Sequence, residues 1–142
     1  MNILKTSMGL TLVIFLTGCA NYMVSTQSLV SQLTKNQKIE KNLYFQQFAL
    51  VDYPSNNLQR IKCVDKNGTN VWLYPDKNTE FIFVKKSDGK KIKAYFDTVI
   101  FRNDTLYGLR SRLVGGLRII PVNDIKKITV SAEMPRIEKV NE

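Results

Sequence analysis

Histidine is absent from the 142-residue chain, and only two cysteines occur, Cys19 and Cys63. Without imidazole there is no Ser-His-Asp triad and no histidine proton shuttle, and two thiols alone cannot close a structural zinc site. Acidic residues are scarce as well: twelve Asp and Glu stand against 21 Lys and Arg, for a formal net charge of +9. Long apolar runs are also missing. The run from Met8 to Leu16 is about half of the roughly 20 residues a helix needs to cross a bilayer, so a permanent transmembrane span is not expected.

The amino terminus is organised as a targeting segment. Lys5 places a positive side chain beside the chain start, and the apolar run follows directly, the order of a charged n-region and an h-region. The run ends in Leu16-Thr17-Gly18-Cys19. These four residues resemble, position by position, the lipobox of bacterial lipoproteins: an aliphatic residue, two small or uncharged residues, then cysteine. The resemblance implies that Cys19 receives a diacylglycerol thioether, that a signal peptidase cuts before it, and that the new amino group is then acylated. In Gram-negative members of that family an aspartate after the cysteine favours inner-membrane retention. Here the residue is Ala20, which implies an outer-membrane lipoprotein facing the periplasm. Acyl chains stabilise attachment by about 0.8 kcal/mol per buried methylene, and two or more chains hold stably.

Cleavage before Cys19 leaves 124 of the 142 residues and, with Lys5 gone, a side-chain balance of +8. That length suits one domain with a modest core. The expected organisation is a signal peptide over 1–18, a lipidated tether over 19–26, a single β-rich domain over 27–132 and a flexible tail over 133–142. A basic balance suggests an anionic partner, or simply a lysine-rich soluble surface. In the envelope the available anions are lipid headgroups, acidic glycans, wall polymers and acidic protein faces; nucleic acid is not expected. No cofactor or metal is expected either.

The fold class expected is mainly β: a small antiparallel barrel or sandwich of about five to seven strands with a short N-terminal helix. Leu29, Val30 and Leu33 at helical spacing, behind a cap at Ser25 or Thr26, predict a helix over 26–35. Beyond it the text alternates strand and turn. Leu43 to Val51 reads as one apolar strand, and Pro54 to Asn57 as a loop. Ile61 and Cys63 share a face in a strand over 58–64, which predicts a buried thiol at Cys63. Asn67-Gly68, Ser87-Asp88-Gly89, Asn103-Asp104 and Gly115-Gly116 mark hairpin turns. A long strand is expected from Lys91 to Phe101. Pro121, without a donor, breaks the chain before a last strand over 125–130. The layout from Thr79 to Val130 resembles the closing half of Sm-like five-stranded barrels, a resemblance of architecture only.

Two basic clusters are candidates for binding. Arg110, Arg112 and Arg118 surround Gly115-Gly116. A three-residue loop over 114–116 would set Leu113 against Leu117 and Arg112 opposite Arg118. Like charges directly opposite destabilise a sheet. An anion between them would offset this; the alternative is that both side chains splay into water. Lys85, Lys86, Lys90, Lys91 and Lys93 surround the turn at Asp88. They suit contact with anionic headgroups, or protection of a strand edge. Asp97 and Asp104 are the carboxylates considered for acid–base work, with no nucleophile beside them. The function expected is a membrane-anchored envelope lipoprotein that binds or scaffolds, not an enzyme. The alternative is a carboxylate-dependent enzyme acting on envelope polymers, and a third reading docks the apolar strand at 43–51 onto a larger envelope complex.

Overall fold

The structure is a computed structural model, and it describes residues 19–46, 49–112 and 115–141. Leu16, Thr17 and Gly18 of the expected lipobox, and Leu113 and Val114 of the arginine loop, lie outside the described residues. The chain opens on strand β1 (Ala20–Val24) and helix α1 (Thr26–Asn36). It continues through β2 (Glu40–Gln46), β3 (Ala49–Ser55), β4 (Ile61–Val64), β5 (Asn70–Tyr74), β6 (Glu80–Lys85) and β7 (Lys91–Tyr95). After a 3-10 turn over 96–98 come β8 (Ile100–Arg102), β9 (Thr105–Ser111) and β10 (Gly115–Pro121). A second 3-10 turn over 122–124 leads into β11 (Ile125–Ala132) and β12 (Arg136–Lys139).

The fold is mainly β and antiparallel, as expected, but it is not a closed barrel. The described strands form three sheets: a seven-stranded sheet in the order β12-β5-β4-β1-β11-β6-β7, a three-stranded sheet β10-β9-β8, and the hairpin β2-β3. Among the described residues twelve strands stand where five to seven were expected. The Sm-like closure fails because β9 meets β7 by packing and not by a hydrogen-bonded ladder.

Alternation builds the core. Phe81 and Phe83 of β6, Ile128 and Val130 of β11, Ile61 and Cys63 of β4, and Val71 and Leu73 of β5 all turn to one face and are buried. Leu29 and Leu33 close that face from α1, with no exposed surface. Ser25 caps the helix by accepting from the Ser28 N–H at 3.1 Å, which removes one of the donors a helix start leaves unpaired. No described helix is long and apolar enough to cross a membrane.

Several expectations are corrected. The tether is a strand: Ala20 to Val24 pairs in full with Ala132 to Ile128 and touches β4 through Met23 and Val64, so the first described strand begins one residue after Cys19. Part of the tail is β12, paired with β5 from Arg136↔Tyr74 to Lys139↔Val71. The apolar run over 43–51 folds back on itself as β2 and β3, with Phe45 opposite Leu50. The long strand over 91–101 breaks at Phe96: its N–H makes the last bond in the β6–β7 register, to the Thr79 carbonyl at 2.9 Å, but its carbonyl turns away to accept from the Val99 N–H at 3.3 Å and from Asn56 Nδ2 at 2.8 Å. Thr98 holds the break, donating its hydroxyl to the Tyr95 carbonyl at 2.7 Å and accepting from the Leu109 N–H at 2.9 Å.

Candidate functional site

The two basic clusters meet in one groove of about 580 Å³, lined by Lys85, Asp88, Lys90, Lys91, Ile92, Lys93, Arg110 and Arg118. One wall is the β6–β7 hairpin. Its turn is fixed by backbone bonds from the Lys85 N–H to the Lys90 carbonyl (3.0 Å) and from the Gly89 N–H to the Lys85 carbonyl (3.1 Å). Gly89 has φ +69°, a conformation that costs an L side chain energy. Both neighbouring carboxylates are committed to this turn. Asp88 accepts from the Lys90 N–H at 2.9 Å and lies 3.5 Å from Lys85 Nζ. The backbone bond from Lys90, with the Lys85 charge, holds its carboxyl below the usual range. Asp124, in the 122–124 turn, accepts from the N–H and the hydroxyl of Ser87, each at 3.0 Å.

The other wall comes from β9 and β10. Leu106 faces Ile120 and Gly108 faces Arg118, and opposed residues in a ladder share a face of the sheet. One face therefore runs from the core, where Leu106 and Ile120 are buried, past Gly108 and out to Arg118 and Arg110. Gly108 makes this possible. A Cβ there would stand 2.7 Å from the Ala94 Cβ and 3.1 Å from the Val99 Cγ2, so only glycine lets β9 approach β7 this closely. That approach brings the arginines beside Lys91 and Lys93. Among the described residues no carboxylate lies within 4.0 Å of the charged groups of Lys90, Lys91, Lys93, Arg110 or Arg118.

Arg112 is elsewhere, and the expected register is corrected. Ser111 pairs with Gly115 and Leu109 with Leu117, so Arg118 stands opposite Gly108 and not opposite Arg112. Arg112 ion-pairs with Asp97, donates to the Lys77 carbonyl at 2.6 Å, and stacks 4.0 Å above the Tyr95 ring. Burial alone would lower its pKa, but the hydrogen bond and charge of Asp97 outweigh that, and the guanidinium sits above its ordinary value. The Tyr53 hydroxyl donates to the second Asp97 oxygen at 2.7 Å. Burial first, then Asp97, raises the Tyr53 pKa. Beneath this cluster lies Asn56, fully buried. It donates to the Phe96 and Val99 carbonyls at 2.8 and 2.7 Å and accepts from the Leu58 N–H at 3.0 Å.

The other candidate residues fall apart in space or into the core. Asp97 is held by Arg112 and Tyr53, while Asp104 stands exposed on the β8–β9 turn. Cys63 is 2% exposed and its thiol is pushed up to about 12, by burial first and then by Asp65. Cys19 is exposed. It shares the edge of a cavity with Tyr22 and the β4–β5 turn residues Asp65, Lys66 and Asn67. Among the described residues no three Cys, Asp or Glu side chains are grouped so as to hold a metal ion. In the sequence the lysine turn and the arginines read as separate patches, and the fold unites the turn with two of the three arginines. The signal available was Gly108, a glycine inside an apolar strand pattern, which marks a close approach. The chain matches no protein-family model, no curated protein and no solved structure.

Proposed function

We propose that the chain is an outer-membrane lipoprotein, anchored through acylated Cys19, which binds an anionic component of the cell envelope in the basic groove. The observation that carries the binding reading is the convergence of five cations, without an ion-pair partner among the described residues, on one concave surface. Bringing like charges together costs free energy, and an entering anion offsets it. Arginine adds a planar fork suited to phosphate or carboxylate. The exposure of Cys19, one residue before β1, supports the anchor, since its thiol is open to acylation. The role is binding and scaffolding.

Two measurements test the reading. Intact mass and membrane fractionation of the chain expressed in a bacterium should give a product that starts at Cys19, carries acyl chains and sediments with membranes. Cys19→Ala should give neither acylation nor sedimentation. A wild-type product that retains Met1 and stays soluble would overturn the anchor. Independently, polyphosphate at a hundredfold excess over its Kd should stabilise the chain by about 2.7 kcal/mol, and Arg110→Gln/Arg118→Gln should remove most of that gain. No stabilisation of wild type by any polyanion would overturn the groove as a binding site.

A further inference from the structure

Cys19 and the basic groove lie at opposite ends of the same sheet. Ala20, next to Cys19, pairs with Ala132, and Ser131 pairs with Glu80 at the start of β6. At the far end of β6, Lys85 pairs with Ile125 and opens the lysine-rich turn. Five strand steps at about 3.3 Å place that turn roughly 17 Å further along the sheet than the anchoring end. The elements beside Cys19 are different ones: the β4–β5 turn with Lys66, and the end of β12, where the Val140 N–H reaches the Asn70 carbonyl at 3.1 Å. The surface potential of an anionic leaflet decays over a Debye length of about 8 Å at physiological ionic strength. With the strands standing upright on a bilayer that holds Cys19, its headgroups lie beyond the reach of the groove.

We infer that the groove takes its anion from the side facing away from the anchoring membrane, and that its ligand is a polymer with repeated phosphate or carboxylate groups, which the protein ties to the bilayer. The inference rests on the proposed anchor and anion site and adds a direction and a ligand class to them. Repetition follows from the layout of the groove. Lys91 and Lys93 are two strand steps, about 6.6 Å, apart on one wall, and Arg110 and Arg118 stand on the other. One anionic group cannot touch all four, whereas successive groups along a chain can. Asp88 and Asp124 do not compete, because both are engaged by the turn.

The test couples the full chain through the Cys19 thiol to a maleimide phospholipid in vesicles. Coupling selects Cys19 because Cys63 is buried with its thiol pushed up to about 12, and the thiolate is the reactive form. On phosphatidylcholine vesicles the tethered chain should bind labelled polyphosphate or polyglutamate within about threefold of the untethered chain. Replacing a third of the lipid by phosphatidylglycerol should change that affinity less than about threefold, as expected for charges screened over two Debye lengths. Arg110→Gln/Arg118→Gln should weaken binding by about tenfold or more, and Lys66→Gln/Lys139→Gln, which removes equal charge from the anchoring end, by less than about twofold. A tenfold loss confined to phosphatidylglycerol vesicles would mean that headgroups of the same bilayer fill the groove. That result overturns the direction and leaves the anion site standing. Equal losses in the two double variants would overturn the groove as the site. Failure of the untethered chain to bind either polyanion would overturn the anion-binding reading on which the inference rests.

Discussion

The two ends of β7 treat arginine in opposite ways. At Tyr95, Arg112 is stacked, ion-paired with Asp97 and bonded to the Lys77 carbonyl. At Lys91 and Lys93, Arg110 and Arg118 line a groove whose neighbouring carboxylates have been spent on holding a turn. All three arginines lie within nine residues of one another in sequence, yet one is structural and two are available. What separates them is the supply of uncommitted acceptors. The 3-10 break at 96–98 delivers Asp97 to one end, and the turn at 86–90 consumes Asp88 and Asp124 at the other.

The sharpest way to break that contrast is to loosen the support under Asp97. Asn56→Ala removes three hydrogen bonds from a fully buried side chain and should destabilise the fold by about 3 kcal/mol, at roughly 1 kcal/mol for each bond. Urea unfolding would measure it. Gly108→Val attacks both ends at once, since its Cβ would collide with Ala94 and Val99. Overpacking of this kind costs about 2 kcal/mol. It should also weaken polyphosphate binding, because β9 can no longer bring Arg110 and Arg118 beside the lysines. A variant that keeps full stability would show that the close approach of β7 and β9 is not required.

Arg112→Gln comes next in size. The pair with Asp97 is partly solvated, with side chains 25% and 32% exposed, so its loss should cost about 1 kcal/mol, less than for a fully buried pair. Polyanion affinity should change little. The same cluster has a pH signature. Tyr53 has a folded-state pKa above its ordinary 10.0, so the folded chain holds that proton more tightly than the unfolded chain. Its contribution is present in full below pH 10 and is lost as pH rises through the folded value. Cys63, raised to about 12, acts in the same direction. Tyr53→Phe should therefore lower stability at neutral pH and flatten the alkaline decline relative to wild type, with Cys63 common to both chains.

Local chemistry made much of the fold legible. Serine capping and leucine spacing located α1 to within a residue, the Asn103-Asp104 turn takes positive φ at both positions, and Pro121 ends a strand before a 3-10 turn. The misreadings share one cause, which is that alternation says which face a residue takes but not which partner it meets. Lys91 to Phe101 alternates convincingly, yet the Phe96 carbonyl turns out of the ladder to the Val99 N–H and the Asn56 side chain. Ala20 to Val24 is too short to stand out as a strand, and only the ladder with β11 makes it one. Asn67-Gly68 turns the chain as foreseen, but only Gly68 has positive φ, with the Asp65 carboxylate accepting from the Asn67 and Thr69 N–H groups. At the groove the residue types were evident and the register was not, because the position of Arg118 depends on how the loop over 112–114 is counted.

The smallest expected effect on stability is also the one that best separates the two ends of β7. Arg110→Gln/Arg118→Gln relieves repulsion with Lys90, Lys91 and Lys93 and breaks no ion pair among the described residues, so it should raise stability by a few tenths of a kcal/mol at low salt. The gain should vanish at about 1 M salt, where the Debye length falls to about 3 Å. Arg112→Gln, with an ion pair, a ring contact and a backbone bond to lose, should destabilise at both salt concentrations. Opposite signs at low salt and unequal responses to added salt would mark Arg110 and Arg118 as charges held in reserve for an external anion. A loss of stability in the double variant at low salt would mean that these arginines, like Arg112, are committed to the fold, and the groove would then have to bind through its lysines alone.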